Sequence, residues 1–200
     1  HGDFAGEHGC VEKFDTMFYD CLIKIPLIIR YPKLGIKPKA IDAMAENIDI
    51  MPTVFDLCGI DISPYVHGKS LKGLLLGECA AHRDAVFCEG GMERAALDRA
   101  LSYSDEYYKK FPDYYYKQKT MIDYPETMMR SKMIRTKKWK FIFSANGMNE
   151  LYDLENDPME LVDVSAEESY KPVMDQFIKR LLMWTINTET DYPHVDIMHA

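Results

Sequence analysis

The 200-residue chain has no cysteine pair spaced as CxxC, no cluster of basic residues, no uninterrupted apolar run of membrane length, and no internal repeat or low-complexity tract. Each absence removes a class of protein. Its five cysteines, at positions 10, 21, 58, 79 and 88, are odd in number and irregularly spaced. That speaks against a disulfide framework or a zinc knuckle and predicts mostly buried thiols. With 24 Lys and Arg against 32 Asp and Glu, for a net charge of -8, the chain lacks the basic face that nucleic acid or an anionic membrane would require. The most apolar stretch, residues 22–29, is broken by Lys24 and Pro26. It is far shorter than the roughly 20 residues of a membrane-spanning helix. A basic start and an apolar leader are also missing; the chain enters at a glycine-rich loop, as if continuing from residues before it, and does not declare a compartment. What remains is 47% hydrophobic and 28% charged, an ordinary globular composition able to build one core, or a core and a smaller lobe.

Ligand-type side chains crowd the opening, HGDFAGEHGCVEK: His1, Asp3, Glu7, His8, Cys10, Glu12 and Lys13 surround three glycines that let the backbone turn tightly. His1 and Lys13 lie twelve positions apart on this compact loop. An imidazole can ligate a divalent metal, and an ammonium can neutralise an anionic substrate as a compact point charge. The same residues also suit a chain end and a solvated surface charge, and residue types alone leave both readings open.

Next, CLIKIPLIIRYP has the Ile and Leu content of a strand buried on both faces of a parallel sheet. In ENIDIMPTVFDLCGI, Ile48, Met51, Phe55 and Cys58 recur at helical spacing, Pro52 suits a first turn and Gly59 an end. After the loop HGKSLKGLLLGE comes a strand, AVFCE, so the first 90 residues read as α/β. From about residue 92 to 127 the composition turns to tyrosine and charge without a clean period, predicting an irregular surface excursion. Beyond it, Trp139, Phe141 and Phe143 alternate before Asn146-Gly147, the signal of an antiparallel hairpin. A final amphipathic helix from about Ser169, with Val173, Phe177, Leu181 and Trp184 on one stripe, should cover that sheet. The change in composition predicts a division near residue 90.

Several of these stretches, in this order, resemble the sulfatase family. HGDFAGEHGCVEK followed by IPLIIRYP is similar to its Ser-Asp-His-Gly, Gly-Glu-His-Gly, Lys and Pro-Leu-Ile segment. ENIDIMPTVFDLCGI resembles its Asp-x-x-Pro-Thr helix, and HGKSLKGLLLGE its Asp-Gly-x-Ser-Leu loop, with His67 where Asp is usual. NELYDLENDPMELVDVS is close to its Glu-Leu-Tyr-Asp-Leu and Asp-Pro-x-Glu signature. The likeness covers roughly residues 1–90 and 126–165, and motifs in series are harder to meet by chance than any one alone.

The resemblance implies sulfate monoester hydrolysis by the C-terminal part of an alkaline-phosphatase-like α/β sandwich of parallel strands. A small antiparallel sheet with a C-terminal helix would follow it, so that residues 1–90 complete the catalytic core and 91–200 form a subdomain. The family's nucleophile is a formylglycine, made from Cys or Ser in Cys/Ser-x-Pro/Ala-x-Arg, and a divalent cation, usually Ca2+, holds it against a sulfate oxygen. By position His1 would be a metal ligand and Lys13 the sulfate contact, while Glu7 and His8 would either orient His1 or the metal, or only hold their own loop. The remaining ligands and the nucleophile would come from an N-terminal part of the enzyme, so this chain alone should be inactive. CAAHR at residues 79–83 formally fits the maturation pattern, but it follows the metal segment and reads as a chance match. The nucleophile should sit at a helix N-terminus, where backbone donors face its charge. His67, His82, His194 and His199 have no partner at metal spacing and default to surface or structural roles. Tyr107, Tyr108 and 114–116 suit a substrate cleft and a packed surface loop equally. The substrate would be a small-molecule or carbohydrate sulfate ester. A phosphonate or phosphate ester hydrolase of the same superfamily is the enzymatic alternative, and a non-catalytic structural module is the alternative for this chain alone.

Overall fold

The computed structural model describes residues 1–14, 16–102, 106, 109–110 and 115–189, which fall into two compact units. One comprises His1–Pro26 with Phe87–Phe177; the other comprises Leu27–Val86 with the chain from Ile178 on.

The first unit is built on a four-stranded sheet of order β3-β4-β5-β6: β3 (Val86–Gly90), β4 (Ser131–Arg135), β5 (Trp139–Ser144) and β6 (Glu150–Asp153). β5 pairs antiparallel with both β4 and β6, and Ser131 faces Ser144 while Trp139 faces Asp153. The turn between β5 and β6 contains Asn146-Gly147 as expected, with Gly147 at φ 82°, a backbone state that suits glycine. Alternation gives the sheet two distinct faces. On one, fully buried Phe141 stacks on Phe177 at 6.2 Å between ring centroids, fulfilling the expected cover by the last helix, α6 (Lys171–Thr188). On the other, Met133, Ile142 and Tyr152 pack with Phe18 and Leu154, and Tyr19 and Ile23 border the cluster. The short α1 (Asp20–Ile23) thus lies against the sheet. Before it, β1 (Phe4–Ala5) and β2 (Val11–Glu12) form a two-stranded hairpin.

The second unit contains α2 (Ile50–Cys58), closed by Gly59 as its sequence predicts, and α3 (Lys72–Leu76), which lies within the stretch expected to be a loop. Three further expectations need correction. Residues 24–31 form no strand: after the turn of α1 the run is irregular, with Leu27 and Ile28 exposed. A strand apolar on both faces needs neighbours on both edges, and among the described residues none pairs with it. The described parts of residues 92–127 are largely helical, in α4 (Arg94–Leu101) and α5 (Tyr115–Asp123), where Arg94–Asp98 and Lys119–Asp123 pairs at i,i+4 support the turns. No cysteine is buried: Cys58 and Cys79 are exposed and Cys10, Cys21 and Cys88 are half-buried, all as free thiols. Tyr107, Tyr108, Tyr114, the side chain of Tyr116, His194 and His199 lie outside the described residues. Among those described, no helix is long and apolar enough to cross a membrane.

Candidate functional site

The opening hairpin is the candidate site, and its geometry starts from strand register. Phe4 pairs with Glu12 and Ala5 with Val11. One step further out, Asp3 and Lys13 meet, with Nζ 3.7 Å from Oδ1 and both side chains well exposed. Such a pair contributes little stability, so the ammonium is held loosely beside the carboxylate and stays available. His1 stands at this same open end. Its Nδ1 lies 3.0 Å from the Gly2 carbonyl, which can only accept; the neutral tautomer that carries its proton on Nδ1 makes this hydrogen bond and keeps the lone pair on Nε2.

Glu7 and His8 sit in the turn at the other end. Glu7 Oε2 accepts the Ala5 N–H at 2.6 Å, and this bond holds its carboxyl below the usual range. His8, at φ 52°, lays its ring on Tyr19 at 3.7 Å between centroids, and Phe4 meets both rings edge-on. Close contact with α1 anchors the hairpin's open end: Gly2 N–H donates to the Leu22 carbonyl at 2.7 Å, and a Cβ on Gly2 would collide with the Cys21 carbonyl. Among the described residues, no three His, Cys, Asp or Glu side chains are grouped to hold a metal ion. At the hairpin His1 is the one imidazole at the open end, a donor that fits a share of a divalent-cation site rather than a whole one.

A second cluster of ligand-type residues, in the other unit, is of a different kind. Asp49 is fully buried before α2. Its carboxylate accepts from Arg83 Nε at 2.8 Å, from Arg83 Nη2, and from the N–H groups of Lys69 at 2.8 Å and Glu46 at 2.9 Å; His82 Nε2 lies 3.1 Å away. Burial opposes the charge, but the guanidinium and the two backbone donors outweigh it and bring the pKa down to about 2. Arg83 also reaches Glu46 at 3.0 Å. Thr53 donates to the Asp49 carbonyl and accepts the Leu71 N–H, while Asp56 binds Ser70 and Lys72. The helix motif and the following loop are therefore one hydrogen-bonded knot. The CAAHR stretch belongs to it through His82 and Arg83, and Cys79 lies in irregular chain after α3 instead of at a helix N-terminus. His67 is exposed. The available signal was the Glu46-x-x-Asp49 spacing, which forms a reciprocal cap. Nothing in the spacing pointed to Arg83, 34 residues on.

The family model described as "N-sulphoglucosamine sulphohydrolase, C-terminal" matches residues 6–109, just over half of the 200 residues. The chain is 28% identical to an N-acetylglucosamine-6-O-sulfatase of Bacteroides thetaiotaomicron, over 90% of this chain and 28% of that protein. It is 29% identical to an arylsulfatase of Clostridium perfringens, over 96% of this chain and 33% of that one. Its fold matches, at a TM-score of 0.65 and 24% identity, a protein solved with its substrate D-glucosamine-2-N,6-O-disulfate, over 96% of this chain and 34% of that chain. The chain thus spans about a third or less of the length of these relatives. By its family match and its order of motifs, the chain belongs to the sulfatase family and corresponds to the C-terminal region of its members.

Proposed function

We propose that the complete protein containing this chain is a metal-dependent sulfuric ester hydrolase, and that the opening hairpin supplies part of its active site. The observation that carries this reading is the register at the hairpin's open end, which sets a loosely paired, exposed Lys13 ammonium beside Asp3, at the end of the hairpin where His1 enters. Lys13 turns from Asp3 to a sulfate oxygen at little cost, because an exposed pair at 3.7 Å is weakly held. Its fixed positive charge stabilises negative charge spreading over the sulfuryl oxygens in the transition state. His1 presents Nε2 as one ligand of a divalent cation, most simply Ca2+. That ion would act as a Lewis acid on the ester once the carboxylate ligands from the rest of the protein complete its oxygen shell. The formylglycine nucleophile and those carboxylates lie outside this chain. Glu7 and His8 brace the loop that carries Lys13.

On the same reading, residues 1–90 complete a catalytic core of parallel strands, in which residues 24–31 find their strand partners, and 91–200 form the C-terminal subdomain. The substrate is a small-molecule or carbohydrate sulfate ester. The test is hydrolysis by the complete protein, with and without a chelator, of an aryl sulfate and of the matching aryl phosphonate. Chelator-sensitive turnover of the sulfate is expected. Preference for the phosphonate would assign the site to phosphorus esters, and turnover of neither would contradict the reading.

A further inference from the structure

Among the described residues, the C-terminal signature NELYDLENDPME makes no hydrogen bond or ion pair to residues 1–13, yet it ends in a residue of unusual placement. Glu160 is buried and holds a left-handed backbone at φ 57°, a conformation a non-glycine residue adopts at a cost. Its carboxylate faces Lys140, whose side chain is completely buried on β5. The Lys140 ammonium also donates to the Phe18 carbonyl at 2.8 Å and to Asp20 Oδ1 at 2.7 Å, and Glu160 Oε2 accepts the Asp20 N–H at 2.6 Å. Arg135 completes the cluster with two bonds to Asp20, at 3.0 and 2.9 Å. Burial raises the Asp20 pKa, but the guanidinium and the ammonium outweigh it and leave the carboxyl below its usual range. A buried lysine needs such pairing to stay charged.

Lys140, Glu160 and Arg135 hydrogen-bond to Phe18 and Asp20, and the segment 18–22 holds the hairpin. Tyr19 carries the His8 ring, and the turn that starts at Asp20 presents the Leu22 carbonyl to Gly2. We propose that Lys140 and Glu160 are positioning residues of the sulfate-ester site: through Phe18 and Asp20 they fix α1, and α1 fixes the hairpin bearing His1 and Lys13. This rests on the function proposed above. It gives the Asp-Pro-x-Glu signature a physical task, since its glutamate is the only one of the four residues 157–160 that reaches α1 among the described contacts. Misplacing a charged group by about 1 Å can cost on the order of a hundredfold in rate, so a network remote from the reacting atoms can still set it.

The test uses the complete protein and the variant Glu160→Gln, which keeps an acceptor for the Asp20 N–H but removes the charge facing Lys140; Lys140→Met is the stronger second variant. Two readouts are taken below the melting temperature of every variant. Hydrogen exchange of backbone amides in residues 1–13 should quicken about tenfold in Glu160→Gln, whereas a role confined to the C-terminal sheet would leave those amides as in the parent protein. Aryl sulfate kcat/KM should fall about tenfold, and adding Lys13→Ala should then cost clearly less than Lys13→Ala does alone, because the two act through one group. Unchanged exchange in residues 1–13, or losses that simply multiply, would overturn the proposal. Full activity in Lys13→Ala alone would instead overturn the assignment of the hairpin as the sulfate site. Exchange would then show separately whether Glu160 holds the hairpin.

Discussion

The opening hairpin and the Asp49 knot use the same side-chain types, imidazole, carboxylate and a basic group, to opposite ends. At Asp49 each oxygen of a fully buried carboxylate is occupied by guanidinium or backbone donors, and the surrounding loop is locked to α2. At the hairpin, Lys13 and Asp3 face solvent 3.7 Å apart. A group whose hydrogen bonds are all satisfied internally contributes to stability, and a group presented with capacity to spare can bind something else. Residue type does not separate the two cases; the state of each hydrogen-bonding atom does.

That contrast is breakable, first at its strongest point. Asp49→Ala removes one of the two carboxylates that Arg83, a largely buried side chain, pairs with, leaving Glu46, and should destabilise the protein by about 3 kcal/mol, read by urea or thermal unfolding. A loss under about 1 kcal/mol would mean the knot is not stabilising. Phe141→Ala, at the stack with Phe177, should cost a similar 3 to 5 kcal/mol through the cavity it leaves.

The Asp49 carboxyl is also expected to show itself in pH dependence. Its folded pKa of about 2 lies below the ordinary 3.8, so its stabilisation is complete above about pH 4 and is lost as pH falls from 4 towards 2. The difference corresponds to about 2 kcal/mol by linkage. Unfolding free energies of the parent and of Asp49→Asn, measured between pH 2 and 6, should converge on acidification. Parallel curves would contradict the assignment.

At the hairpin the expected stability effects are the smallest. Asp3→Ala should change unfolding free energy by no more than about 0.5 kcal/mol. Calcium binding to this chain alone should be weaker than micromolar, because one imidazole and scattered carboxylates do not form an oxygen cage. Calorimetry showing micromolar affinity would mean the site is complete within the chain.

Much of the antiparallel half was legible because its signals are local. Asn146-Gly147 forces a turn, Trp139 to Phe143 alternate, and Phe177 and Leu181 fall on one helical stripe that is buried. Helix α2 was legible in extent but not in orientation. The predicted apolar stripe leaves Ile48 and Met51 exposed, while Asp49, Pro52 and Thr53 face inward, because the hydrogen bonds to residues 69–71 outweigh hydrophobicity there. Residues 24–31 carry a strand's composition, yet they form no strand among the described residues, because composition alone does not supply an edge to pair with. Lys140 was missed for a similar reason: a lysine on a strand reads as a solvent-facing residue until Phe18, Asp20 and Glu160 converge on it from distant positions. For the site, HGDFAGEHGCVEK was legible as a dense loop, whereas the meeting of Asp3 and Lys13 depends on hairpin register.

The central claim is that Lys13 belongs to a sulfate-ester site and not to the fold. Its most direct test is kcat/KM for an aryl sulfate in the complete protein, compared among the parent, Lys13→Ala and Lys13→Arg, with melting temperatures alongside. The account predicts that Lys13→Ala loses roughly 2 to 4 kcal/mol of transition-state stabilisation, as when one electrostatic donor is removed from a dry site. Melting should be unchanged, and Lys13→Arg should recover little, because a planar fork does not replace a compact point charge. Near-parental activity in Lys13→Ala, or a loss that merely follows its melting temperature, would contradict it.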